Sequence, residues 1–219
     1  MSGHRVLIGA CGWEHPGWQG TFYPDDLPED WRLGFYANLH PVVWVPADAW
    51  LETDAPARSL AEAGDELLFV AEVPPAPLSR AIGGEDAPLE AWLGTVAGAG
   101  KRIVGLVLSS VGLGAPTVPP DLLERLDRIA PLAVEGEVPG AGAYARVWHG
   151  PSEPPQVGQG RLILARIPPP TPAPRGLREI LETLLRAAGD GRPAILILDG
   201  APPDHAALET AGIILDLLE

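Results

Sequence analysis

The chain has 219 residues, 46% hydrophobic and 20% charged, which excludes wholesale disorder and suits a single folded domain over residues 1–219. Twenty-nine acidic against 15 basic residues give a formal charge of −14, and no basic run exceeds Lys101-Arg102, so nucleic acid is not an expected partner. Cys11 is the single cysteine, which excludes an internal disulfide and favours a reducing compartment; no apolar run approaches the roughly 20 residues of a membrane span, so a cytoplasmic location is expected.

Val6-Leu7-Ile8 reads as a buried strand, because no polar residue interrupts it. Gly9 and Gly12 suit backbone conformations or close approaches that a side chain would obstruct. The loop that follows holds Trp13 and Trp18, which either plug a cavity or offer a platform to a ligand. Acidic residues at Glu29-Asp30 then precede a helix through Trp31, Leu33, Phe35, Tyr36 and Leu39. Val42 to Val45 is a second strand, 56–63 a short helix, and Leu67 to Glu72 a third strand leading into a proline-rich loop from Pro74. A helix over Pro88 to Ala97, a strand over Ile103 to Ser109, an amphipathic helix from Pro119 and a strand over Leu132 to Glu135 follow.

This alternation is the pattern of parallel βα units. It breaks between Glu137 and Tyr144, where too few residues intervene for the crossover of about a dozen that a parallel neighbour normally needs. A missing fifth helix is expected there, with Tyr144 to Trp148 forming a hairpin-like or irregular excursion. Leu162 to Ile167 is the next strand and Pro168 to Pro174 a loop; Gly176 to Ala188 is a helix, Ala194 to Leu198 the last strand, and Asp204 to Leu218 the final helix.

In folds built of parallel βα units, reactive groups sit where strands end. Glu72, Glu135, Arg166 and Asp199 are therefore the candidate catalytic residues: the carboxyls as general acid and base, Arg166 as the anchor for an anionic group. The same four residues could equally form an internal ion-pair network. Trp13, His15, Trp18 and Ser109 are the candidate ligand-binding residues. The five histidines are scattered, without paired ligands of zinc-site spacing, so no metal or other cofactor is expected. Cys11 serves as a nucleophile only if a neighbour lowers its pKa; otherwise it is a small buried hydrophobe.

The order Ile8-Gly9, Cys11-Gly12-Trp13, Pro16, Trp18, Gly20, Phe22-Tyr23-Pro24 and Leu27-Pro28 resembles the opening of the YecE-like family, domain of unknown function seventy-two. The resemblance implies a TIM-type (β/α) barrel, here degenerate or incomplete around the fifth helix and sixth strand, with a pocket at the C-terminal ends of the strands. It implies no settled reaction. Departures are concentrated in the polar lining: Val45-Pro46-Ala47-Asp48-Ala49 replaces an Asn-Ser-Thr-Phe-Tyr-like run, Glu72 and Glu137 stand where basic residues are common, and Ser109-Ser110-Val111-Gly112 replaces Gln-Leu-Pro-Pro. Two readings follow. One is a degenerate, non-catalytic barrel that binds a small polar ligand or a protein partner; the other is a divergent hydrolase or lyase acting on a small polar substrate.

Overall fold

The computed structural model describes residues 6–50, 63–64, 66–114, 116–156, 160–189 and 191–219. The short helix expected over 56–63 lies almost wholly outside them. Eight strands run β1 (Val6–Cys11), β2 (Val42–Val45), β3 (Leu68–Glu72), β4 (Ile103–Ser109), β5 (Leu132–Glu135), β6 (Ala145–Arg146), β7 (Ile163–Ile167) and β8 (Ala194–Leu198). They form one parallel sheet in the order β6-β5-β4-β3-β2-β1-β8-β7. The circle is completed by one residue beyond β6: Trp148 N donates to Leu164 O at 2.8 Å, and Arg166 N donates to Trp148 O at 2.9 Å. The fold is a TIM-type barrel, as expected.

Side chains alternate along every strand, and the alternation sorts the apolar residues into two groups. Val42, Val70, Val107, Ala133, Leu164, Ile195 and Ile197 share one cluster that fills the barrel. Their strand neighbours, among them Val43, Phe69, Leu106, Val134, Ile163 and Leu196, pack outward in the larger cluster with the helices. Against that outer face lie α1 (Arg32–Ala37), α2 (Pro75–Ile82), α3 (Ala87–Gly98), α4 (Pro120–Ile129), α5 (Pro174–Ala188) and α6 (His205–Leu218). Leu122, Leu123 and Leu126 of α4 and Leu177, Ile180, Leu181 and Leu184 of α5 are buried at helical spacing, each contributing about 1.5–3 kcal/mol.

The proline-rich stretch from Pro74 departs from the expectation of a loop, whereas residues 168–173 form a loop as expected and only Pro174 belongs to a helix. Helix α2 starts at Pro75 and contains Pro77 in its first turn, and α5 starts at Pro174. The first-turn N–H groups of a helix have no intrahelical acceptor, so proline there removes nothing and presets φ. Gly9 and Gly12 fill the expected roles: a Cβ on Gly9 would collide with the Val42 carbonyl, and Gly12 has φ +75°.

The fifth helix is absent, as expected. Of the two forms expected here, the hairpin-like one is not found and the irregular one is: the chain returns through irregular turns to a two-residue parallel strand, β6. It pairs Ala133 with Ala145 and Val134 with Arg146, so the chain leaving at Glu135 climbs back by only two residues, about 7 Å at about 3.3 Å per residue. Turns in which Ala141 N donates to Val138 O and Tyr144 N to Ala141 O cover that distance. Val138 and Ala141 are buried in place of a helix face. Gly140 is required there: it has φ +93°, and a Cβ would stand 2.5 Å from Val118 O.

Beside β1, an aromatic cluster holds the first loop down. Trp18 Nε1 donates to Pro203 O at 2.9 Å, and Tyr36 Oη accepts from Ala10 N and donates to Val42 O, both at 2.8 Å, tying β1 to β2. His40 is buried at the edge of this cluster, stacked on Phe22 at 5.8 Å, with Nε2 unpartnered among the described residues. Burial pushes its pKa down to about 4 from an ordinary 6.5. The folded state therefore favours neutral imidazole. That contribution is complete above pH 6.5 and is lost as pH falls toward 4, at a cost of about 3 kcal/mol. Chemical denaturation at stepped pH should show this loss in the native chain and a flatter profile in His40→Leu; equal acid slopes would contradict the assignment.

Candidate functional site

The inward positions of the strands are apolar until the last one before each C-terminal end. Along the strand parity, Val70 leads to Glu72, Val107 to Ser109, Ala133 to Glu135, Leu164 to Arg166 and Ile197 to Asp199. Cys11 and Trp44 complete the layer from β1 and β2. The barrel thus ends in a polar ring, and all four candidate catalytic residues stand in it.

Arg166 is its centre. Its Nε donates to Asp199 Oδ2 at 3.0 Å, its Nη2 forms an ion-pair contact with the same oxygen at 2.9 Å, and its Nη1 donates to Glu135 Oε2 at 3.0 Å and Oε1 at 3.3 Å. The guanidinium carbon lies 4.7 Å from the centre of the Trp44 ring, a cation–π contact. Burial works against the charge on Arg166, and the acidic groups around it more than restore it. Asp199 Oδ1 accepts from Gly200 N at 2.7 Å, which fixes the carboxylate from the other side.

Glu72 is held apart from this pair system. Its Oε2 accepts from Trp44 Nε1 and Ala47 N, both at 3.3 Å. Among the described residues Oε1 takes no bond. Burial raises the Glu72 carboxyl above its ordinary range, outweighing the opposite pull of those donors and of Arg166, while the charge of Glu135 adds to the rise.

Trp44, fully buried, is therefore the floor of the ring. It forms no exposed patch with Trp50, which packs edge-on against Trp92 at 5.9 Å. His149, singled out neither as a ligand nor as a catalytic residue from the sequence, joins the ring. Its Nε2 is 3.5 Å from Glu135 Oε1, and its Nδ1 meets Arg166 O at 3.0 Å. A carbonyl only accepts, so Nδ1 carries a proton. The signal was available in parity: Val147 points inward, and so does the residue two beyond it. His149 also lines a cavity of about 400 Å³ between Gly136-Glu137, Arg146 and the segment from Gly150 to Gln156. This cavity opens beside the place of the missing helix.

Of the proposed ligand-binding residues, Ser109 stands in the ring, whereas Trp13, His15 and Trp18 lie in the loop after β1. Trp18 is fully buried, its ring enclosed by His15, Phe22, Tyr23 and Tyr36. Trp13 is also buried, and its carbonyl accepts from Tyr23 Oη at 2.6 Å. Both rings plug the loop against the barrel. His15 Nε2 donates to Cys11 O at 2.8 Å, and burial lowers its pKa against the pull of the Cys11 and Gly12 carbonyls and Asp199. Ser109 is buried, its Oγ accepting from Val111 N at 3.2 Å. Among the described residues no group of three His, Cys, Asp or Glu side chains is disposed to hold a metal ion, and no helix is long and apolar enough to cross a membrane.

Cys11 borders the ring, yet burial pushes its thiol up to about 12 from 9.0; Arg166 opposes this, while Asp199 and Glu72 reinforce it. Burial thus holds it as the thiol at neutral pH, with less thiolate than an unperturbed cysteine. Iodoacetamide labelling followed by mass spectrometry should be at least about tenfold slower in the native state, and fast only after denaturation. Rapid native labelling would contradict the buried, protonated state.

Residues 7–47 match the family described as "Protein of unknown function DUF72". No curated protein matches the chain. Among solved structures, the fold is similar to a DUF72 family protein from Thermotoga maritima, at 13% identity and TM-score 0.63, covering 98% of this chain and 99% of that one. It is also similar to a DUF72 family protein from Enterococcus faecalis, at 14% identity and TM-score 0.61, covering 98% of both chains. The expected family resemblance is thus found in the opening sequence, and the fold is shared along the whole length.

Proposed function

We propose that this barrel, whose opening carries the DUF72 signature, binds a small polar ligand at its mouth without converting it. One observation supports the reading above the others: Arg166, the cation of the ring, directs each of its three nitrogens at Glu135 or Asp199. It is neutralised from within, so it offers little to an anionic substrate. Neither Glu135 nor Asp199 can take up a proton without weakening the ion pair it makes. Cys11 is no nucleophile at neutral pH. The unused capacity of the ring is mainly acceptor capacity, at Glu72 Oε1 and the carboxylates facing Arg166. Such a site suits a neutral polyol or an amine, which donates hydrogen bonds, better than an organic acid or phosphate. The cavity beside His149 offers a way in.

A second reading rests on Glu72. A carboxyl raised by burial, beside carboxylates paired with an arginine, is an arrangement from which an acid and a base can be drawn. In that case Glu72 would be the general acid of a hydrolase or lyase, with Glu135 or Asp199 as its counterpart.

A thermal-shift panel of sugars, polyols, amino sugars, polyamines, organic acids and phosphates distinguishes these readings. A ligand at about 100 times its dissociation constant adds about 2.7 kcal/mol, which raises Tm by about 5–10 °C for a chain of this size. We expect such a shift from a neutral or amine-bearing compound, its loss in Glu72→Ala and Arg166→Met, and recovery of the compound unchanged by NMR. A shift confined to organic acids or phosphates, or no shift at all, would contradict ligand binding of this kind. Conversion of the compound, abolished by Glu72→Gln, would establish the enzyme reading instead.

A further inference from the structure

Six of the seven tryptophans are buried or partly covered, and Trp31 alone is 65% exposed. It stands at the end of a single-turn 3-10 helix (Glu29–Trp31) that leads into α1. With Leu27, Asp30, Gly34 and Phe35 it borders a groove of about 390 Å³ on the outside of the barrel, away from the polar ring. Leu39, 55% exposed, lies just past the end of α1. A large exposed indole beside apolar surface is the composition of an interface centre, where tryptophan is enriched.

Gly34 adds an independent observation. It lies within α1, where glycine is a poor helix former, and a Cβ built on it would meet nothing within 4 Å. Among the described residues, no neighbour requires its lack of a side chain. The bare backbone leaves the groove open, which an occupant approaching closely would need.

The charges around the groove indicate what that occupant is. Asp25, Asp26, Glu29 and Asp30 are all exposed. Arg32 is the basic residue of this stretch, and it is engaged by Glu29 at 3.4 Å and by Gln19 Oε1 at 3.0 Å. Among the described residues no cation pairs with Asp30. A second copy of this chain would bring one acidic rim against another, and anionic membranes and nucleic acids would meet the same repulsion.

We propose that this face docks a basic segment of a partner protein, with an arginine stacked on Trp31 and forked toward Asp30, and a neighbouring aliphatic side chain over Gly34. Arginine suits both contacts, since its planar guanidinium stacks on aromatic faces and pairs with carboxylates. The site is separate from the barrel mouth and does not depend on what the mouth binds.

The test uses the full chain labelled with 5-fluorotryptophan, whose Trp31 ¹⁹F resonance is identified by its loss in Trp31→Phe. The probe is the peptide acetyl-GRLRG-amide, with acetyl-GELEG-amide as its counterpart. The Trp31 resonance should move saturably with the basic peptide and stay fixed with the acidic one. Affinity should fall at least tenfold in Asp30→Asn and in Gly34→Gln, which fills the groove and leaves the Tm equal to or above that of the native chain. A Trp31 resonance that is silent up to millimolar peptide, that responds equally to both peptides, or that is unaffected by Gly34→Gln would overturn the proposal. So would a shift that depends on protein concentration without peptide, since it would show pairing between copies.

Discussion

A guanidinium placed at the mouth of a closed barrel must find its counter-charges within a few ångströms, and the layout of the mouth follows from that requirement. Arg166 enters from β7, and Glu135 and Asp199 reach it from the C-terminal ends of β5 and β8. Strands β8 and β7 pair directly, whereas β5 reaches β7 only across β6. A charge removed from water costs several kcal/mol unless it is paired and hydrogen-bonded. Glu135 nevertheless meets Arg166 across the two-residue β6, at 3.0 Å. Trp44 supplies a flat, electron-rich floor on the remaining side.

The missing helix and the polar ring are linked through the same strand. A full crossover helix would cover the outer face of β5 and β6; here the compact turns around Val138 and Ala141 seal only part of it. The segment from Gly150 onward folds back over the rest, with Gln156 O accepting from Arg146 N at 3.0 Å and Glu153 O accepting from Trp148 Nε1. His149 sits at the junction, facing the ring on one side and the cavity on the other. The cavity thus lies beside the segment that lacks a crossover helix, with His149 between it and the ring.

Much of this was legible in the residues. The strands are uninterrupted apolar runs, and their ends could be placed within a residue or two, so Glu72, Glu135, Arg166 and Asp199 could be set at one end of the barrel. Whether they would meet could not be read, because convergence depends on inward or outward parity, and a strand buried on both faces shows no alternation. The helix starts at Pro75 and Pro174 were hidden because proline marks both loops and first turns. His149 was missed because its strand is too short to register as one. Trp13 and Trp18 looked like either plugs or platforms until burial showed their faces covered, while Trp31, assigned simply to a helix, is the indole left outside.

The central claim is that Arg166 is closed into the ring by its own carboxylates. It is tested most directly by ¹⁵N NMR of the arginine side chains in the ligand-free protein, with Arg166 assigned by comparison with Arg166→Lys. A guanidinium clamped on three sides rotates slowly about its Cζ–N bonds and exchanges its protons slowly. The prediction is separately resolved, protected Nη protons for Arg166 that collapse to averaged signals in Asp199→Asn. An Arg166 spectrum already averaged like that of a solvent-exposed arginine would contradict the closed ring and return this residue to the role of a free anion-binding group.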